Sequence, residues 1–227
     1  MSFSLDKVVP WGRSLAEYGR MFALSDEDLA KKILGCGDGP ASFNAELTAQ
    51  GGKVVSIDPL YQFSPEAIDQ RFEAAYTAVM SQMQANASEF VWDFIENVEQ
   101  LGQMRRQAME LFIADLPKGL EDGRYLEGGV PELPFNNGAF DLALCSHFLF
   151  LYSGQFSLEF HIQSLVELCR VAKEVRVFPL LELGSIPSRH VDGITQYLAK
   201  NGYDYAIEEV PYEFQKGGNQ MLRVQSG

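Results

Sequence analysis

The chain has 227 residues, 31 acidic and 18 basic, and its formal charge of −13 at pH 7 opposes binding to a polyanion held through Lys and Arg. A hydrophobic content of 46% suffices for a substantial core, no run of 18 apolar residues occurs, and the three cysteines are far apart with no C-x-x-C pair. Nucleic acid, a membrane span and a zinc or thiol-redox site are therefore not expected, and residues 1–10, with neither a basic leader nor a continuous apolar stretch, lead us to expect a cytoplasmic protein.

Residues 1–30 are expected to form an N-terminal helical segment, unusually aromatic for a terminus through Trp11, Tyr18 and Phe22. Ile33-Leu34 ends a first strand and leads into Gly35-Cys36-Gly37-Asp38-Gly39-Pro40. Glycine there permits positive φ and close approach of a ligand to the main chain, and Pro40 suits an early position in a helix over 41–50 that Gly51-Gly52 stops. A β-branched second strand, 54–57, ends at Asp58, 21 residues after Gly37. Further strands are expected at 124–126, 140–145 and 175–181, with helices at 160–172 and 188–200. Strands at 205–212 and 220–224, joined by the Gly-rich turn 215–219, suit an antiparallel hairpin. This alternation predicts a mostly parallel sheet covered on both faces, one domain over 1–227.

The 65 residues between Asp58 and Arg124 exceed the roughly 25 to 30 that a one-helix crossover needs. Ser64-Pro65 reads as N-cap and N1 of a helix carrying Ile68, Phe72, Tyr76, Val79 and Met83, with further helices expected at 88–101 and 104–116. Such an insertion, about 64–120, leaves the sheet at the carboxyl edge where ligands bind and is placed as a helical cap over a substrate. Arg105-Arg106 and Lys31-Lys32 read as solvated surface, and His161 and His190 as surface or packing residues.

The glycine pattern is G-x-G-x-G, with Pro40 where a dinucleotide fingerprint needs its third glycine, which disfavours NAD. Residues 34–39 instead resemble the first motif of class I S-adenosylmethionine-dependent methyltransferases. Residues 133–144, L-P-F through a turn to F-D, and 168–174, L-C-R-V-A-K-E, are similar to that family's approaches to its fourth and fifth strands. The resemblance implies a Rossmann-like α/β fold with helices on both faces and a C-terminal antiparallel hairpin. It implies S-adenosylmethionine as cofactor, held by Gly35, Cys36, Gly37, Asp38 and Gly39, with Asp58, next to Pro59, accepting from the ribose hydroxyls. Cys36 serves there as a small residue. Ser146 and His147, after the fourth strand, fall near the adenosine or the transferring methyl, and His147 is the candidate general base on the strength of an ordinary imidazole pKa near ~6.5. Arg13 and Tyr18 are candidates for the cofactor carboxylate and the methyl pocket. The implied activity is methyl transfer to a small molecule, with no metal. Ile33 stands where the family usually carries an acid, which leaves open a second reading, a cofactor-binding regulatory or interaction protein without turnover. The acceptor and the oligomeric state are not written in the sequence.

Overall fold

The structure, a computed structural model, describes residues 11–226. The expectations placed on residues 1–10, including the first third of the N-terminal helical segment, lie outside the described residues. Two short helices precede the sheet, α1 (Leu15–Met21) and α2 (Asp26–Leu29), each opened by a serine capping box, Ser14 with Glu17 and Ser25 with Asp28. The principal strands are β1 (Lys32–Cys36), β2 (Lys53–Ile57), β3 (Tyr125–Leu126), β4 (Phe140–Ser146) and β5 (Ala172–Phe178). A two-stranded ribbon of β6 (Leu181–Glu182) and β7 (Ile186–Pro187) follows, then β8 (Asp204–Glu209) and β9 (Gln220–Gln225). The seven-stranded sheet has the order β3-β2-β1-β4-β5-β9-β8; β9 runs antiparallel to both β5 and β8 while the other pairings are parallel. This is the expected mostly parallel, Rossmann-like arrangement closed by an antiparallel hairpin.

Alternation along the strands feeds two cores. Ile33, Leu142 and Leu144 face one side with Tyr18, Met21 and Phe43 from α1 and α3 (Phe43–Ala49). Leu34, Ala143, Cys145, Val175 and Val177 face the other, against Leu165 and Leu168 of α6 (Leu158–Val171) and Ile194 and Leu198 of α7 (Val191–Lys200).

Three expectations need correction. The helix placed at 41–50 begins at Phe43 behind Ser42, so Pro40 lies outside it, fixed beneath Gly12, where a Cβ would come within 1.9 Å of the Pro40 carbonyl oxygen. The fifth strand begins at Ala172 and ends at Phe178 because Pro179 has no N–H to continue the ladder. The insertion holds two long helices instead of three, α4 (Pro65–Ala85) and α5 (Val98–Glu121). Residues 90–97, apolar at helical spacing, form no helix: Phe90 bridges Gln215, the Val91 N–H donates to the Phe214 carbonyl, and Asn97 caps α5. Tertiary pairing overrides the local pattern. Gly102 does not interrupt α5, since its bare backbone admits the Tyr76 hydroxyl of α4, which a Cβ would meet at 2.4 Å.

Candidate functional site

In this sheet the strand order reverses between β1 and β4, and the crevice outside their carboxyl ends is the place where such folds receive ligands. The loop after β1 lies there. Gly37 and Gly39 take φ of 70° and 54°, a region that costs other residues roughly 1 kcal/mol or more. The Gly37 N–H donates to the Ile57 carbonyl (2.9 Å), and a Cβ on Gly37 would press on Phe148 at 3.0 Å. Gly35 serves the loop indirectly, because a Cβ there would fall 1.8 Å from the Asp38 carboxylate that folds back over the strand end. It does not line the cavity described below.

Asp38 accepts hydrogen bonds from the Tyr18 hydroxyl and the Ser56 hydroxyl, each at 2.7 Å. Burial pushes its pKa up to about 6, against the opposing effect of those two donors and with some help from Asp58. Tyr18 is buried and stacked on Phe43 at 4.2 Å. It reaches the cavity wall, but its hydroxyl is committed to Asp38 and secures α1 to the glycine loop.

Asp58 accepts from the Gly39 N–H with Oδ2 (2.8 Å) and from the Leu60 N–H with Oδ1 (2.7 Å). The carboxylate thus fixes the loop and caps the turn Pro59–Gln62, and each oxygen retains a lone pair for another donor. Burial raises its pKa, opposed by the two backbone donors. Tyr61 closes the arrangement by donating to the Gly39 carbonyl at 2.8 Å.

Across the crevice, β4 ends at Ser146, and His147 takes φ of 51°, an uncommon conformation for a side-chain-bearing residue, held by its N–H donating to the Phe178 carbonyl at 2.6 Å. Nδ1 of His147 lies 3.0 Å from Ser146 Oγ. Burial, with the positive charges of Arg13 and Arg105, holds the imidazole pKa well below its ordinary value, so the ring is neutral at pH 7 and a weaker base than an exposed histidine.

These groups share a cavity of about 950 Å³, near the upper end of the ~300–1,000 Å³ range of small-molecule sites. Cys36, Gly37, Asp38, Gly39, Asp58 and Pro59 line one part, and Ser146 and His147 another. Cys36 is buried and its thiol pKa is raised well above the ordinary value, chiefly by burial, which leaves it an inert small side chain. Arg13 also lines the cavity. Its Nε is buried without a partner among the described residues, and its NH1 donates only to the Trp11 carbonyl.

Arg105 departs from the surface expectation. It is buried and forms a bidentate pair with Glu17 at 2.6 and 2.8 Å, joining α5 to α1, while Arg106 is exposed and pairs with Glu73. Tyr212 donates to the same Glu17. What distinguishes the two arginines in the sequence is helical phase: Arg105 is in register with Ala108, Met109 and Phe112, the buried side of α5, and Arg106 is not. The cap is also built differently from the expectation. Val79 and Met83 of α4 reach the cavity, joined by Phe90 and Phe214 stacked at 4.8 Å, whereas Trp92, Phe94, Met104 and Met109 do not line it.

The protein "Uncharacterized protein MJ0045" of Methanocaldococcus jannaschii is 31% identical over 222 residues, 97% of each chain. The chain belongs to that protein's family. No protein-family model matches it. Among solved structures it is similar to magnesium protoporphyrin IX methyltransferase from Synechocystis PCC 6803 with bound SAM (14% identity, 89% of this chain and 73% of that one, TM-score 0.44). It is also similar to a SAM-dependent methyltransferase of Thermotoga maritima (13%, 94% and 88%, 0.43). At such identities and scores a functional reading rests on the site itself. No helix among the described residues is long and apolar enough to cross a membrane, and they contain no group of three or more His, Cys, Asp or Glu that could hold a metal ion.

Proposed function

We propose that the cavity binds S-adenosylmethionine and that the protein transfers its methyl group to a small-molecule acceptor in the cytoplasm. The observation that carries this reading is the pairing of an open glycine loop with Asp58 at the ends of adjacent strands β1 and β2, at the switch point of the sheet and facing one cavity. Two features of the site fit the cofactor. The free lone pairs of Asp58 suit a vicinal diol, and the unpartnered Nε of Arg13, at a cavity wall with no ion pair among the described residues, suits the amino-acid carboxylate.

Bound S-adenosylmethionine supplies a methyl group activated by a sulfonium. The chain's own work is alignment and exclusion of water. Gly37 and Gly39 let backbone approach the ligand, Asp58 fixes both loop and ribose, and Cys36 and Pro59 fill space beside it. Asp38 and Tyr18 hold the loop from behind. Ser146 and His147 stand opposite the loop, and in this reading His147 touches the acceptor as a neutral hydrogen-bonding group. Helix α4 with Phe90 and Phe214 covers the acceptor side.

Calorimetric titration with S-adenosylmethionine and, separately, with NADH tests the reading. Saturable binding of the first without micromolar binding of the second supports it; no binding of S-adenosylmethionine at millimolar concentration refutes it. Binding with no methyl transfer to any acceptor would favour a regulatory protein instead.

A further inference from the structure

The cavity walls differ sharply from the rest of this acidic chain. Away from the glycine loop and the end of β2, no described lining residue is Asp or Glu, although the chain carries 31 of them; the charged lining residues there are Arg13, Arg71 and Arg105. Arg105 is neutralised by Glu17. Arg13 and Arg71 have no ion pair among the described residues, and Arg71 lies over the Phe63 ring at 3.5 Å. Besides Gln62, Gln215, Ser146 and His147, the remaining surface is mainly apolar and aromatic, with Val79, Met83, the Phe90–Phe214 stack, Phe156 and Phe160.

Away from the glycine loop and the end of β2, the same walls hold no carboxylate to take a proton from an acceptor. Asp38 is occupied by Tyr18 and Ser56, and Asp58 by two backbone donors and, in the reading above, the ribose. His147 is the one lining imidazole among the described residues, and burial, with the charges of Arg13 and Arg105, opposes its protonation. Its Nδ1 pairs with Ser146 Oγ at 3.0 Å, and the neutral ring meets a ligand as a hydrogen-bonding group.

Resting on the methyl-transfer reading, we propose that the acceptor is an apolar, ring-bearing carboxylic acid, methylated on a carboxylate oxygen. Such an acceptor needs no general base, because carboxyl groups with ordinary pKa values near ~4 are already ionised at neutral pH. The carboxylate oxygen forms its bond to the methyl carbon as the carbon–sulfur bond breaks, the bonding pair stays on sulfur, and no proton is released. A hydroxyl acceptor would have to shed a proton as it reacts, and on this side of the cavity the lining offers only the weakened base His147. The aromatic faces take the ring, and Arg71, with Arg13 at the cofactor carboxylate and Arg105 paired with Glu17, favours the anion over its neutral isosteres.

The test is a calorimetric titration of the full chain, saturated with S-adenosylhomocysteine, with four probes of one shape: 2-naphthoate, 2-naphthamide, 2-naphthol and 2-naphthylamine. The expected result is at least tenfold tighter binding of the acid than of any neutral probe, and a preference reduced at least threefold in Arg71→Gln. With labelled S-adenosylmethionine, label should appear in the acid as a base-labile methyl ester. If the amide, naphthol or amine binds as tightly as the acid, if none of the four binds, or if naphthol or the amine is the better methyl acceptor, the inference is overturned. Failure of S-adenosylhomocysteine itself to bind is a separate outcome that overturns the methyl-transfer reading and this inference with it.

Discussion

Replacing Asp58 with alanine removes two kinds of interaction at once. The structure gives its carboxylate two backbone donors, Gly39 N–H and Leu60 N–H, and the proposed function adds the ribose hydroxyls. Hydrogen bonds to a charged group are worth roughly 1.5 to 3 kcal/mol, so losing the ribose contact should weaken S-adenosylmethionine binding by about tenfold to a hundredfold. The two backbone bonds would on the same scale cost more than that in stability. However, burial raises the Asp58 pKa, which means the ionised form is held against a desolvation penalty that alanine relieves. The net loss should be about 2 kcal/mol, or a fall in Tm of roughly 4 to 8 °C for a domain of this size. Beside the ribose contact expected from the sequence, Asp58 thus also clamps the glycine loop. Calorimetry well below the lowered Tm, paired with thermal melts, separates the two effects. Unchanged cofactor affinity alongside the lowered Tm would refute the ribose assignment and leave Asp58 as a loop clamp.

Because Asp38 has its pKa raised from 3.8 to about 6, its proton is held more tightly in the folded chain, and its contribution to stability is full below about pH 4 and lost as pH rises through about 6. At 1.36 kcal/mol per unit this is about 3 kcal/mol, visible as the difference between wild type and Asp38→Asn in urea unfolding across that window; a difference independent of pH would contradict it. Arg105→Met strands Glu17 in the core and should cost about 3 to 5 kcal/mol, a Tm fall of roughly 6 to 20 °C, with much of it restored in Arg105→Met/Glu17→Gln. Melts showing no recovery in the double variant would place the loss elsewhere. Val79→Ala, Met83→Ala and Phe90→Ala should alter turnover or acceptor choice while cofactor affinity stays within about threefold, ~0.7 kcal/mol, whereas alanine at Met104 or Met109 should lower Tm with kinetics intact. Steady-state kinetics in which both groups behave alike would remove the distinction between cap and core.

The sheet was legible because its signals are local and redundant. Ile33-Leu34 and residues 54–57 are short β-branched or apolar runs next to glycine or a polar stop, and the 215–219 turn announces its hairpin. The loop was legible for the same reason: a glycine that must adopt positive φ is visible as a letter. What failed to show depended on distant partners. Residues 90–97 have helical spacing, yet Phe90 and Trp92 are drawn to Phe214, more than a hundred residues away in sequence. Helical phase sets Arg105 apart from Arg106, but its partner Glu17 comes from α1, far away in the chain. Likewise, the commitment of Tyr18 to Asp38 joins a helix and a loop whose proximity no motif encodes, and the suppressed basicity of His147 arises chiefly from burial, with Arg13 and Arg105 adding to it, all of which the fold supplies.

A crystal structure of the full chain grown with S-adenosylhomocysteine tests the central claim most directly. The account predicts density for the ligand between the glycine loop and Ser146-His147, with the ribose hydroxyls within hydrogen-bond distance of the Asp58 carboxylate and the amino-acid carboxylate at Arg13. A ligand bound elsewhere, or a cavity without ligand density at saturating concentration, would contradict it.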